Sequence, residues 1–328
     1  MNTTPFSTLH FTSTTATGQP GSGLNQPQST MPAPAAHDRA LVLGGGGSAG
    51  NAWLIGVIAG LFDAGMDATE ADLSIGTSAG STAAAQIAGA SPSQLFADIL
   101  AAAPTTRTRP PGSDRGGMPP RPAVDPMEAT SRIIAAAADA PDMRRRIGAW
   151  ALEADGSSAG SWSTRWRATV ASRLPSQLWP QRRVLMTAVD ARTGEPVMFD
   201  SSSGVDLADA IAASCSSSIA YRIGEHRFID GGYRRNENAD LAAGCGRVLV
   251  LSPLGGRTRH PLGWGLQLAA QVQELRAGGS RVETIVPDAE SLNAFGTNLM
   301  NPSTRPPAAR AGYEQGKVLA GELADFWH

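Results

Sequence analysis

Hydrophobic and polar positions along this chain fall into blocks that predict an alternating strand and helix order. Ala40-Leu41-Val42-Leu43 is a short unbroken apolar run and reads as a strand buried on both faces. Residues 51–64 carry Ala52, Trp53, Ile55, Val57, Ile58, Leu61 and Phe62, a pattern that predicts a helix buried on most sides, with Gly65 where a helix terminator belongs. Leu73-Ser74-Ile75 predicts a second strand, and an alanine-rich helix should run on to about Ala88. This is the spacing of a βαβ unit, whose crossover is right-handed in nearly all cases. Two glycine-rich turns, Gly44–Gly50 and Gly76–Gly80, then leave the carboxyl ends of parallel strands, where open α/β sheets place their ligands.

The pattern changes from Ser91 to Pro180. Helices are expected over Ser91–Ala103, Pro126–Ala140, Pro141–Ala154 and Ser161–Leu174, interrupted by a Pro/Arg/Gly-rich loop at Pro104–Pro122, which together suggest a helical cap inserted at about 91–180. Strand signals return with Val184–Val189 and Pro196–Phe199 around Arg192-Thr193-Gly194, a predicted hairpin. A short helix at Leu207–Ala213 and a strand at Arg227–Ile229 ending in Asp230-Gly231-Gly232 follow. Then come a strand at Arg247–Leu251, a helix at Gly265–Arg276, a strand at Val282–Val286 and a closing helix at Ala311–Trp327.

Composition narrows the class. The 328 residues are 41% hydrophobic and 17% charged, enough for a sizeable core, and the net charge of −2 gives no global argument for a nucleic-acid partner. Cys215 and Cys245 form no CxxC pair, so a zinc site or disulfide framework is not expected, and a cytoplasmic location is the default. Residues 1–38 are polar and without charge before Asp38, which predicts a loose tail ahead of one domain spanning 39–328. No stretch reaches the roughly 18 apolar residues of a membrane span. Residues 104–183 hold 13 arginines against seven acidic residues, with Trp150, Trp162, Trp166 and Trp179 among or beside them. That mixture raises peripheral contact with an anionic membrane surface, against the plainer reading of buried tryptophans and solvated arginines.

Candidate chemistry gathers at the turns. Gly76-Thr77-Ser78-Ala79-Gly80 has the Gly-x-Ser-x-Gly form of a nucleophile elbow, exposing Ser78 at the start of a helix whose N-terminal partial charge favours an oxyanion. Gly45–Gly50 also satisfies G-x-G-x-x-G. However, Gly76-Thr77-Ser78, not an acidic residue, ends the next strand, which argues against a dinucleotide, and no Gly-Lys-Ser/Thr supports a P-loop. Bare backbone N–H groups beside a serine suggest an oxyanion hole, with close helix–strand packing as the simpler alternative. For the base, His226 and His260 are the histidines in contention, but neither stands at a strand end beside a glycine turn; Asp230 does.

Three ordered motifs, Gly45–Gly50, Gly76–Gly80 and Asp230–Gly232, with the flanks Leu41-Val42-Leu43, Ile75 to Ser81 and Ala212-Ala213-Ser214-Cys215, resemble the patatin-like phospholipase family over roughly residues 39–256. The resemblance implies a three-layer α/β sandwich with a mainly parallel sheet and helices on both faces. It implies a serine lipid acyl hydrolase acting on carboxylic esters of phospholipids or related lipids, with no metal or organic cofactor. Ser78 would be the nucleophile, Asp230 the general base, and the amides of Gly45, Gly46 and Gly47 the oxyanion hole. Two positions depart from the family pattern: Ala49, where a cation usually precedes the last glycine, and Ser216–Ala220, which lacks a frequent proline. Rival readings are an acyltransferase on the same dyad, a lipid-binding protein with a decayed dyad, and a Ser78–Asp230–His260 triad.

Overall fold

A computed structural model describes residues 38–102, 125–157 and 161–328; the expected tail (apart from Asp38) and the expected Pro104–Pro122 loop lie outside them. Eight strands form one sheet: β1 (Arg39–Leu43), β2 (Leu73–Gly76), β3 (Arg183–Asp190), β4 (Pro196–Phe199), β5 (Tyr221–Ile223), β6 (His226–Asp230), β7 (Arg247–Leu251) and β8 (Arg281–Ile285). The order is β5-β6-β3-β2-β1-β7-β8, with β4 paired to β3. The block from β3 to β8 is parallel, and β4, β5 and β6 pair antiparallel. Helices cover both faces, as the sequence leads one to expect for an α/β sandwich.

The buried strands sort their side chains by parity. Leu41 and Leu43 of β1 face one layer, and Ala40 and Val42 face the other. The first layer contains α1 (Gly47–Asp63), α2 (Ala79–Gly89), α7 (Leu207–Ser214) and α10 (Arg305–Trp327); the second is covered mainly by α8 (Leu268–Ala277). Of the helices expected at 91–180, α3 (Pro92–Ala101) packs on α1 and α10, and α6 (Ser161–Ala171) packs on α7. In the same stretch α4 (Pro126–Ala136) packs on α5 (Ala140–Ser157), which meets β6. The tryptophans there are partly buried and tied inward. Trp166 Nε1 donates to Ala212 O at 3.1 Å, Trp179 Nε1 donates to Val205 O at 2.7 Å, Trp162 stacks on Trp166, and Trp150 joins the core under α5. They therefore supply packing rather than a membrane-facing belt, and among the described residues no helix is long and apolar enough to cross a membrane.

Several boundaries moved for local reasons. α10 begins at Arg305, not Ala311, because Pro306 and Pro307 fall in its first turn, where the missing N–H groups cost nothing. Residues Tyr221–Ile223 and Ala289–Phe295 form a strand and a helix (α9) that carry no strong sequence signal.

The largest helix–helix contact joins α1 to α10 through glycine on both sides. A Cβ on Gly56 would fall 2.2 Å from Ala309 O, and one on Gly60 2.1 Å from Tyr313 O; Gly312 and Gly316 approach Trp53 O and Val57 O in return. These backbones touch without intervening side chains. Gly60→Ala is therefore expected to destabilise the fold by about 3 kcal/mol, whereas Gly321→Ala, on the partner helix α10 but facing open space, should stabilise it by roughly 0.5–1 kcal/mol. Urea denaturation of the two variants checks this pair.

Candidate active site

Register brings the two glycine turns together. Leu43 of β1 pairs with Gly76 of β2, so the chains beyond them leave neighbouring strands at one level. Gly80 makes the approach possible: a Cβ there would lie 1.9 Å from Leu43 O, inside any van der Waals contact. A Cβ at Gly76 would meet Ser81 Cα at 2.5 Å, so both glycines of the Gly-x-Ser-x-Gly turn are sterically required. Between them Ser78 adopts φ 53° and ψ −115°, a left-handed conformation that is costly for a non-glycine residue and places it at the N-cap of α2. The strain is held by hydrogen bonds: Ser78 N–H donates to Ser214 Oγ at 2.9 Å, and Ser78 O accepts from Ser81 Oγ at 2.6 Å and Cys215 Sγ at 3.1 Å.

Asp230 reaches the same place by another route. β2 stops at Gly76, opposite Met186, while β3 runs on to Asp190 and pairs Ala188 with Asp230 of the incoming β6. The carboxyl thus stands about two residues beyond the end of β2, level with Ser78, with one strand between their elements. A Cβ at Gly231 would strike Thr187 Oγ1 at 2.2 Å, which accounts for the first glycine after the aspartate. Asp230 is 8% exposed. Burial pushes its pKa up to about 6, against the N–H of Gly232, which donates to Oδ1 at 2.8 Å. The neighbouring Ser78 hydroxyl also favours the ionised form.

The glycine loop lies alongside. A Cβ on Gly45 would sit 3.6 Å from Ser78 Cβ. Of the expected trio of donors, Gly45 N–H donates to Asn236 O at 3.1 Å, whereas the amides of Gly46 and Gly47 have no hydrogen-bond partner among the described residues. Gly47 opens α1, so two helix N-termini, those of α1 and α2, converge on Ser78. Gly45, Gly46, Gly47, Ser78 and Asp230 all line one cavity of about 350 Å³, shared with Tyr233, Asn236, His260 and the first turn of α4.

His260 is on that wall, and its ring bonds elsewhere than Ser78 or Asp230. Its Nδ1 bonds with Thr258 Oγ1 at 3.1 Å, and burial, with Arg259 and Arg144 close by, pushes its pKa down to about 4. A second cavity, lined by Ser74, Pro180, Arg182 and Val184, lies at the opposite end of the parallel strands and holds no candidate nucleophile–base pair.

Sequence reasoning missed the residues that tie these turns together. Asn238, fully buried with φ 56°, directs its amide nitrogen to Thr77 Oγ1 (3.0 Å), Thr187 Oγ1 (3.2 Å), Gly231 O (3.2 Å) and Arg235 O (2.7 Å). It therefore bridges the residue before Ser78 and the residue after Asp230. Glu237, 1% exposed, accepts from Ser252 Oγ and Asn236 Nδ2 and steadies the segment that caps Gly45. The Asn-Glu-Asn run just after Asp-Gly-Gly, polar in a region otherwise packed with buried strands, was the available signal. Arg305 was also missed; its Nη1 donates to Ser48 O at 3.1 Å and Asn51 Oδ1 at 3.0 Å, holding the start of α1.

A family model described as patatin-like phospholipase matches residues 41–243, a span that contains all three motifs. A search of curated proteins returns no match.

Two outcomes follow from the geometry. The Asp230 carboxyl, with a folded pKa above its unfolded value of 3.8, contributes stability in full below that value and loses it as pH rises through about 6. Asp230→Asn, which stays neutral, should accordingly be more stable than wild type by about 3 kcal/mol at mildly alkaline pH, with the gap closing near pH 4, as read by denaturant titration. Asn238→Ala should lower kcat on a soluble ester by roughly 10- to 100-fold with less change in KM. Asn238→Gly, which relieves the left-handed backbone but lacks the amide, should lose as much; recovery in the glycine variant would reassign the effect to backbone strain.

Proposed function

The chain belongs to the patatin-like phospholipase family, and from that premise we propose that it hydrolyses carboxylic esters of lipids through Ser78 and Asp230. The observation that carries this reading is the buried Asp230 carboxyl beside a serine held in a strained turn. In the proposed cycle Ser78 Oγ attacks the ester carbonyl carbon and its proton passes to Asp230. The resulting oxyanion is held by the amides of Gly46 and Gly47 and by the positive ends of α1 and α2. Collapse expels the alcohol, which takes the proton back from Asp230, and leaves an acyl group on Ser78. Water, deprotonated by Asp230, then attacks the acyl carbon; the second tetrahedral species breaks to free acid and returns the proton to Ser78.

A carboxylate can act as base here because its raised pKa narrows the gap to the serine hydroxyl, while pH near 7 still leaves it mostly ionised. His260 is disfavoured as base by its bond to Thr258 and its lowered pKa. A decayed dyad is disfavoured by the glycine loop, which remains fixed through Arg305, Asn236 and Leu299 despite Ala49. An acyltransferase would use the same steps with an alcohol in place of water, and product analysis separates the two.

Hydrolysis of p-nitrophenyl acyl esters tests the proposal. The kcat/KM is expected to rise with pH through an ionisation near 6 and then level off, because only the Asp230 carboxylate accepts the proton. A fluorophosphonate should label wild type and fail to label Ser78→Ala, and Asp230→Asn should lose roughly a thousandfold or more in kcat. Labelling that persists in Ser78→Ala, or a loss in His260→Ala equal to that in Asp230→Asn, would overturn the dyad.

A further inference from the structure

We propose that the rim of the Ser78 cavity is a docking surface for an anionic lipid bilayer, formed by Met127, Met300 and Leu262 together with Arg257 and Arg259. The inference rests on the hydrolase reading only for the idea that substrate enters from a lipid phase. Its evidence is how exposed apolar and cationic groups converge. Among the described residues eight large hydrophobic side chains are substantially exposed. Scattered singly, such residues need no explanation. Two of them, Met127 (61%) and Met300 (67%), belong to the wall of the same cavity, and Leu262 (68%) follows two residues after His260 on that wall.

The exposed charged side chains on the cavity wall itself are arginines, while of the carboxylates flanking Met127, Asp125 accepts from the Met127 N–H and Glu128 pairs with Arg132. Arg257 and Arg259 are exposed on the cavity wall, and neither has a carboxylate within ion-pair distance among the described residues. The one acidic residue on the wall, Asp230, is buried. Arg259 also crosses the mouth: its Nη2 donates to Thr130 Oγ1 at 2.7 Å and its guanidinium touches the Met127 sulfur, so cation and apolar side chain share one ledge. Apolar groups that can enter the acyl layer, beside unpaired guanidinium groups that can meet phosphate, are what an anionic interface selects for. The tryptophan-rich helices offer no equivalent, since their rings are engaged in packing.

The test uses the full chain carrying Ser78→Ala, so that vesicles are not consumed and binding is read independently of catalysis. Co-sedimentation is measured with phosphatidylcholine vesicles with and without phosphatidylglycerol. Binding is expected to need the anionic lipid and to weaken with salt. Arg257→Gln, which breaks no contact to α4, should weaken it about fivefold, and adding Arg259→Gln should weaken it by about as much again. Met127→Ser with Met300→Ser should weaken it roughly tenfold or more. Leu178→Ser and Val318→Ser, equally exposed but elsewhere, should bind as the parent does. Absence of binding, rim variants that bind normally, or loss in Leu178→Ser instead would overturn the proposal. So would vesicle-independent self-association that disappears in the methionine variants, which would assign the rim to a second copy of the chain. Failure of fluorophosphonate labelling would strike the hydrolase reading and leave the vesicle result standing.

Discussion

The absent side chain at Gly80 is the constraint on which the rest of the site depends. With 1.9 Å between a notional Cβ and Leu43 O, any larger residue would drive α2 away from the end of β1. Because Leu43 and Gly76 are register partners on adjacent parallel strands, that contact sets Ser78 beside the glycine loop. The arrangement needs no long-range adjustment once β1 and β2 pair. The strained backbone of Ser78 is a consequence: the turn between Gly76 and Gly80 is too tight for an ordinary conformation, and the bonds from Ser78 to Ser214, Ser81 and Cys215 hold it there.

Asp230 shows a different economy. Among the described residues its buried carboxyl has no cation partner and is less acidic than in water, which opposes folding at neutral pH while giving the group the basicity that the proposed proton transfer from Ser78 requires. Asn238 accounts for how such a group stays in place. Its amide nitrogen spans Thr77, Thr187 and Gly231, so the serine turn, the strand between and the aspartate turn share one buried donor. Displacing any one of the three would leave polar atoms unsatisfied in a dry interior, a penalty that makes the geometry close to all-or-none.

Local features were legible in the sequence and distant ones were not. The apolar runs at Leu41–Leu43 and Arg247–Leu251, the turn at Gly76–Gly80 and the Pro196–Phe199 strand state their structure within a few residues, because burial on both faces and glycine geometry are local requirements. The three-residue β5 was invisible because its pairing with β6, not its own composition, makes it a strand. The bond from Gly45 N–H to Asn236 O could not be read because Asn236 lies far along the chain. The tryptophans suggested an interface by type, whereas their partners Ala212 and Val205 place them in packing. In each case the missing information was a contact between segments remote in sequence.

The same reasoning makes the closing helix part of the site, although it lies beyond the span that matches the family. Gly56 and Gly60 of α1 rest directly on the backbone of α10, so the direction in which α1 points its N-terminus is fixed by a helix some 250 residues later. Arg305, at the start of α10, bonds Ser48 O and Asn51 Oδ1, and Leu299 O accepts the N–H of Ala49. Here the half-buried Arg305 guanidinium reaches the loop from across the fold, desolvation pushes its pKa down, and among the described residues its partners are oxygens of Ser48 and Asn51 rather than a carboxylate. A guanidinium offers several donors in a fixed plane, which suits it to bind a carbonyl and a side-chain amide oxygen together. Arg305 therefore ties the residue before Ala49 to the far end of the chain, and the start of α1 is held by α10 as well as by the glycines themselves.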